Sequence, residues 1–144
     1  MTTSSRPPTP GLPLHVLRTR VLLAPRDFAT SLRFYERSLG LYRAREFGSA
    51  PYRGVVFHLG TCELELSEAA GPGEPVAGVR LWLQVPDLHA TVDALTADGV
   101  AITEPPEHKP WGLHEATVTD PDGLPLVLIE VPADHPLRRD TRGD

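Results

Sequence analysis

The hydrophobic and polar positions of this chain are laid out twice. Arg20-Val-Leu-Leu-Ala-Pro-Arg-Asp27-Phe28 sets beside Arg80-Leu-Trp-Leu-Gln-Val-Pro-Asp87-Leu88, with Arg20, Leu23 and Asp27 falling on Arg80, Leu83 and Asp87. Each copy reads as an apolar strand, then an acid, then a helix. Apolar residues recur at helical spacing at Phe28, Leu32, Tyr35 and Leu39, and again at Leu88, Val92 and Leu95. Gly40 and Gly99 stop the two helices. Asp27 and Asp87 stand where an N-cap accepts hydrogen bonds from the first free amides. Three short strands are expected after each helix, at about 41–47, 53–59 and 62–67, then at about 100–103, 113–119 and 125–131. Each half therefore reads βαβββ. A unit of about 55 residues is marginal alone, so the two should share one sheet system or pair with another chain.

Alternation along the strands separates two faces. One parity holds Val21, Leu23, Val55, Phe57, Leu64, Leu66, Leu81, Leu83, Val85, Ala116, Val118, Leu126 and Leu128. Every member is apolar, so this face is expected against the helices. The other parity holds Arg20, Leu22, Val56, His58, Glu63, Glu65, Arg80, Trp82, Gln84, Glu115, Thr117, Val127 and Ile129. A fully buried face would not carry five unpaired charges. A face merely open to water would rarely carry Trp82, Leu22 and three β-branched aliphatics. A concave, partly wet cavity fits both facts.

Composition sets bounds on this picture. The chain has 144 residues with 14 Lys+Arg against 19 Asp+Glu, a net charge of −5. That length suits one domain, read here as 15–132, with modules at about 15–70 and 76–132 and tails at 1–14 and 133–144. The charge is uneven: residues 15–70 carry +2 and residues 71–132 carry −8. Such an asymmetry fits either two differently solvated faces or two structural units whose faces meet, within one chain or across a dimer. An acidic balance argues against nucleic-acid binding. No apolar run approaches the roughly 18 residues of a membrane span, and the first residues lack the apolar core of a secretion signal. A soluble, cytoplasmic protein is expected. The single cysteine, Cys62, begins a strand with no evident activating base and leaves no disulfide framework.

The chain resembles the vicinal oxygen chelate superfamily, which includes glyoxalase, extradiol dioxygenase and bleomycin-resistance proteins. The resemblance is carried by the opening strand into RDFATSLRFYERSLGLY (26–42), by ELEL at 63–66 and by VPDLHATVDALTADGV (85–100). It is completed by WGLHEATVTDPDGLPLVLIE (111–130) with its DPDG turn at 120–123. The resemblance implies an α+β fold of two tandem βαβββ modules forming a curved mixed sheet with a ligand cup, usually in a homodimer.

Metal-dependent members place His, Gln or Glu at up to four cup positions, which fall here on Arg20, Glu65, Arg80 and Val127. Arginine has only donors and stays protonated, and valine has no ligand atom, so no metal and no cofactor are expected. Of the six histidines, His58 has the cup parity, and a His58/Glu63/Glu65 site is the one conceivable rescue. His108 falls in a Pro-rich loop and His114 on the apolar parity. The family geometry would bring Arg20 and Arg80 near Glu65. The charges then either close on one another or leave guanidinia free to grip a carboxylate, phosphate or enolate-like oxygen. An acid-dominated site for a cationic ligand is the reverse option. Trp82 has the parity to stack on a flat ligand, and Trp111 is either a mobile lid or a loop anchor. Phe34 and Tyr35 read as core, and Asp120 and Asp122 as turn formers. The expected ligand-binding set is Arg20, Leu22, His58, Glu63, Glu65, Arg80, Trp82, Gln84, Trp111, Glu115 and Thr117. Three functions fit this set. They are metal-independent capture of an antibiotic or aromatic metabolite, a lyase, isomerase or dioxygenase with an atypical site, and a partner-binding module with vestigial cups.

Overall fold

A computed structural model describes residues 14–68, 71, 73–74 and 77–138. The N-terminal tail read at 1–14 lies, but for Leu14, outside the described residues, as do 139–144. The first module runs β1 (Arg20–Leu23), α1 (Phe28–Arg33), β2 (Arg43–Phe47), β3 (Gly54–Leu59) and β4 (Cys62–Ser67). The second runs β5 (Leu81–Gln84), α2 (Leu88–Ala97), β6 (Ile102–His108), β7 (His114–Thr119) and β8 (Pro125–Glu130). Each module is its own four-stranded sheet, in the orders β1-β4-β3-β2 and β5-β8-β7-β6. In both, the first strand pairs in parallel with the fourth and the remaining pairs are antiparallel. This is the expected α+β duplication.

The apolar parity packs against the helices as expected, but Val56, Val127 and Ile129 of the other parity are buried as well. Val55, Phe57, Leu64, Leu66, Ala116, Val118, Leu126 and Leu128 are buried in one cluster with Phe28, Phe34, Tyr35, Leu88, Val92 and Leu95 of the helical segments. Both modules thus contribute to one core.

The charge asymmetry has a structural counterpart, because acids of the second half receive donors from the first. Arg26 pairs with Glu74, and its amide donates to Asp122 at 3.2 Å. Ser38 Oγ donates to Asp98 at 2.5 Å. At the centre, the buried Tyr35 hydroxyl donates to Asp120 Oδ2 at 2.7 Å, while Asp120 Oδ1 accepts from the amides of Asp122 and Leu124, each at 2.9 Å. Asp120 is therefore a turn former, as expected, and also a joint between modules. Burial, then the Asp120 charge, pushes the Tyr35 phenol far up, so it stays a donor.

Three local readings need correction. Asp87 caps α2 through the Ala90 amide at 3.0 Å, but Asp27 makes no such bond and instead accepts from the Thr30 hydroxyl. The first helix does not run on as a regular α-helix: Phe34–Ser38 forms a π-helical turn before Gly40. Residues 105–108 are strand, not loop. β6 tolerates Pro105 and Pro106 because it is an edge strand whose pairing to β7 shifts register twice.

Candidate functional site

The register aligns the outer-face residues into rows. On the first sheet, Arg20 lies opposite Glu63, which lies opposite His58, and Leu22 lies opposite Glu65, which lies opposite Val56. On the second, Trp82 lies opposite Val127 and then Thr117, and Gln84 opposite Ile129 and then Glu115.

The first row closes on itself. Arg20 donates to Glu65 at 2.9 Å and to Glu63 at 3.1 and 3.3 Å, and Arg18 donates to the other Glu63 oxygen at 2.6 Å. The Arg20 hydrogen bond, with Arg18 beside it, holds the Glu63 carboxyl below the usual carboxylate range despite partial desolvation. Glu63 and Glu65, in turn, raise Arg20 above its ordinary value. Arg18 was not among the sequence candidates. It lies before β1, where no periodicity marks a face.

The second row is built differently. Val127 and Ile129 are buried with Leu113 and Val131 in a small apolar cluster on this side of the sheet. Thr117 is buried too, and its hydroxyl donates to Glu104 at 3.2 Å, which removes it from the surface available to a ligand. Trp82 is 52% exposed. Arg80 and Gln84 are exposed, and Arg80 makes no ion pair or side-chain hydrogen bond among the described residues. The expectation that Arg80 joins Arg20 at Glu65 is not met by any contact described. Trp111 is anchored rather than loose: its indole N–H donates to Glu115 at 2.5 Å, and its carbonyl lies 3.1 Å from His135 Nε2. The residue remains 58% exposed. His58 is exposed beside Glu63.

A cavity of about 280 Å³ lies between β1 and the segment leading into β5, lined by Val21–Ala24, Val79, Leu81 and Leu124 with Asp120 and Asp122 at its polar end. Of the predicted site residues it takes only Leu22. The outer face combines buried residues, Val56, Thr117, Val127 and Ile129, with exposed ones, Arg20, Leu22, Arg80, Trp82 and Gln84.

The profile of the Glyoxalase/Bleomycin resistance protein/Dioxygenase superfamily matches residues 15–128. The chain belongs to that superfamily. Among solved structures, the protein SMU.1112c is 28% identical, covering 82% of this chain and 100% of its own, at a TM-score of 0.69. A superfamily member from Sphaerobacter thermophilus is 23% identical, covering 81% of this chain and 98% of its own, with TM-score 0.65. TnmS3 from a Streptomyces species, described as an antibiotic binding protein, is 21% identical, covering 82% and 98%, with TM-score 0.64. No protein of curated function matches the chain significantly.

The residues at the superfamily's metal positions together have the wrong donor chemistry for a metal. Arg20 and Arg80 offer only protons, Val127 is buried among aliphatics, and Glu65 is already bonded to Arg20. Catalytic metal sites need about three protein ligands, and these four residues do not fit a divalent cation. The His58/Glu63/Glu65 alternative fares no better, since both carboxylates are engaged by arginine. Among the described residues, no group of three or more His, Cys, Asp or Glu stands close enough to hold a metal ion. No helix among them is long and apolar enough to cross a membrane.

Proposed function

We propose that this superfamily member captures a small molecule in the cytoplasm without a metal, and that the molecule is a flat antibiotic or aromatic metabolite bearing an anionic or acceptor oxygen. The observation that carries the reading is the contrast between two arginines. Arg20 is saturated by carboxylates, whereas Arg80, just before β5, is exposed with no ion pair among the described residues and stands two residues from the half-exposed Trp82. A free guanidinium recognises oxyanions through paired N–H donors. An exposed indole supplies a stacking surface with little entropy cost on binding. That a structural neighbour is an antibiotic binding protein supports capture over turnover.

The outer face also supports a homodimer. Leu22 at 68%, Val16 at 61% and Leu17 at 84% exposure give apolar surface that a second copy would cover. Such a copy would also wall this face into an enclosed site.

A thermal-shift screen of aromatic acids and polycyclic antibiotics tests the reading, since a ligand that binds only the native state raises its melting temperature. Arg80→Ala and Trp82→Ala should each weaken a hit by at least about tenfold, and EDTA should leave it unchanged. Unchanged affinity in both variants would sink the site assignment. Loss of binding in EDTA, or turnover of the hit, would replace capture with metal-assisted or acid–base catalysis.

A further inference from the structure

The β6–β7 hairpin carries none of the superfamily's cup positions, yet it brings two histidines together. His108, the last residue of β6, lies directly opposite His114, the first of β7. His108 Nδ1 stands 3.1 Å from His114 Nε2, with ring centroids 4.6 Å apart and the planes at 73°. Without a metal, this contact needs an N–H on one ring and an unprotonated, accepting nitrogen on the other. The separation also suits a shared ion. With metal–nitrogen bonds of about 2.0–2.1 Å, two ligand nitrogens lie about 2.9 Å apart at a right angle and about 3.3 Å apart at the tetrahedral angle. The observed distance falls between these limits.

We propose that His108 and His114 form a surface site for a single divalent transition-metal ion, with copper(II) bound more tightly than nickel(II) or zinc(II). Affinity for imidazole donors peaks at copper along the first-row divalent series. The remaining positions belong to water. The adjoining carboxylates are committed elsewhere: Glu130, opposite His114 on β8, accepts the Leu88 amide at 2.8 Å, and Glu107 pairs with Lys109 at 3.2 Å. A site of two ligands with no protein group orienting them is weak beside a structural metal centre. Its consequence is local. The ion would clamp the edge strand β6, with its two prolines, onto β7, and hold the turn that carries Trp111.

The turn supplies the readout. Trp82 and Trp111 are the chain's two tryptophans, so a Trp82→Phe background isolates the indole lying between the two histidines in sequence. Copper(II), titrated into untagged protein at pH 7.5 with glycine as competitor, should quench Trp111 and saturate at one equivalent. Electron paramagnetic resonance should show two nitrogen ligands. His108→Ala and the more conservative His108→Asn should each lower affinity at least about tenfold, while His58→Ala and His89→Ala should not. His108 is exposed on an edge strand, so neither substitution removes core packing. Copper affinity unchanged in both His108 variants, or a signal with one nitrogen or none, would overturn the proposal. Neither result bears on capture at Arg80 and Trp82, which is read by its own ligand.

Discussion

On the first sheet, Arg20 meets two carboxylates; on the second, Arg80 meets none among the described residues, although the backbone repeats. The registers explain why. Leu22 lies opposite Glu65 on β4, and Trp82, its counterpart, lies opposite Val127 on β8. Carrying that correspondence back along the strands puts Pro125 where the first module has Glu63. The same strand order therefore holds a closed ionic row in one half and an apolar floor with a free cation and an indole in the other. A duplicated fold need not duplicate its chemistry. One copy spends its charges on itself, and the other leaves them facing outward.

The most disruptive way to break this difference is to copy the first row onto the second. Val127 is 8% exposed and packed with Leu113, Ile129 and Val131. Val127→Glu should destabilise the fold by about 3 kcal/mol, from lost packing and a carboxylate placed among aliphatics. If the registers are equivalent, Arg80 should reach that carboxylate as Arg20 reaches Glu65. The double variant with Arg80→Ala should then be less stable than the two single effects predict, a coupling that a double-mutant cycle by urea unfolding would measure. Additive effects would mean that Arg80 does not occupy the position of Arg20.

Much of this contrast is legible in the sequence, and the parts that are not have identifiable causes. Strand alternation marks the buried face correctly because period two leaves no freedom once Val55, Phe57, Leu64 and Leu66 point inward. The aligned motif shows that Arg20 and Arg80 correspond, but an offset along the first strands carries no information about their neighbours on the fourth. That required the pairing of β1 with β4 and of β5 with β8. The His108–His114 contact was hidden by Pro105 and Pro106, which read as loop because proline donates no ladder hydrogen bond. An edge strand, whose outer amides need no partner, accepts them. Thr117 had the right parity but the wrong surroundings: Glu104 reaches it across a bulged pairing that no periodicity reveals.

The hairpin turns of the two modules differ as well. β3 and β4 are joined by two residues, Gly60 and Thr61, whereas β7 and β8 are joined by five, and Asp120 there reaches Tyr35 of the first module. The residue matching Tyr35 in α2 is Leu95, which has no polar tip. Tyr35→Phe should cost about 1–2 kcal/mol, because a buried carboxylate oxygen loses its donor. Adding Asp120→Asn to Tyr35→Phe should then cost less than Asp120→Asn alone in wild type. Equal costs in the two backgrounds would show that the hydroxyl does not couple the modules.

The smallest effect is the one the closed row should show against acid. Glu63 has its carboxyl lowered by Arg20, then Arg18, so the stabilisation it gives is complete above the unfolded carboxylate range, near pH 4.3, and is lost as pH falls through the folded value. Glu36, beside Arg43, and Glu68, beside Arg53, are lowered too and contribute in the same window. The Glu63 share must therefore be read by difference. Between pH 7 and pH 3, the melting temperature of wild type should fall further than that of Glu63→Gln, and the two curves should converge at the acid end. Arg80→Ala should track wild type at every pH, because its guanidinium holds no carboxylate among the described residues. A melting curve for Arg80→Ala that flattened in acid as the Glu63→Gln curve does would mean that the two arginines share one charge network, and that the second row is not open.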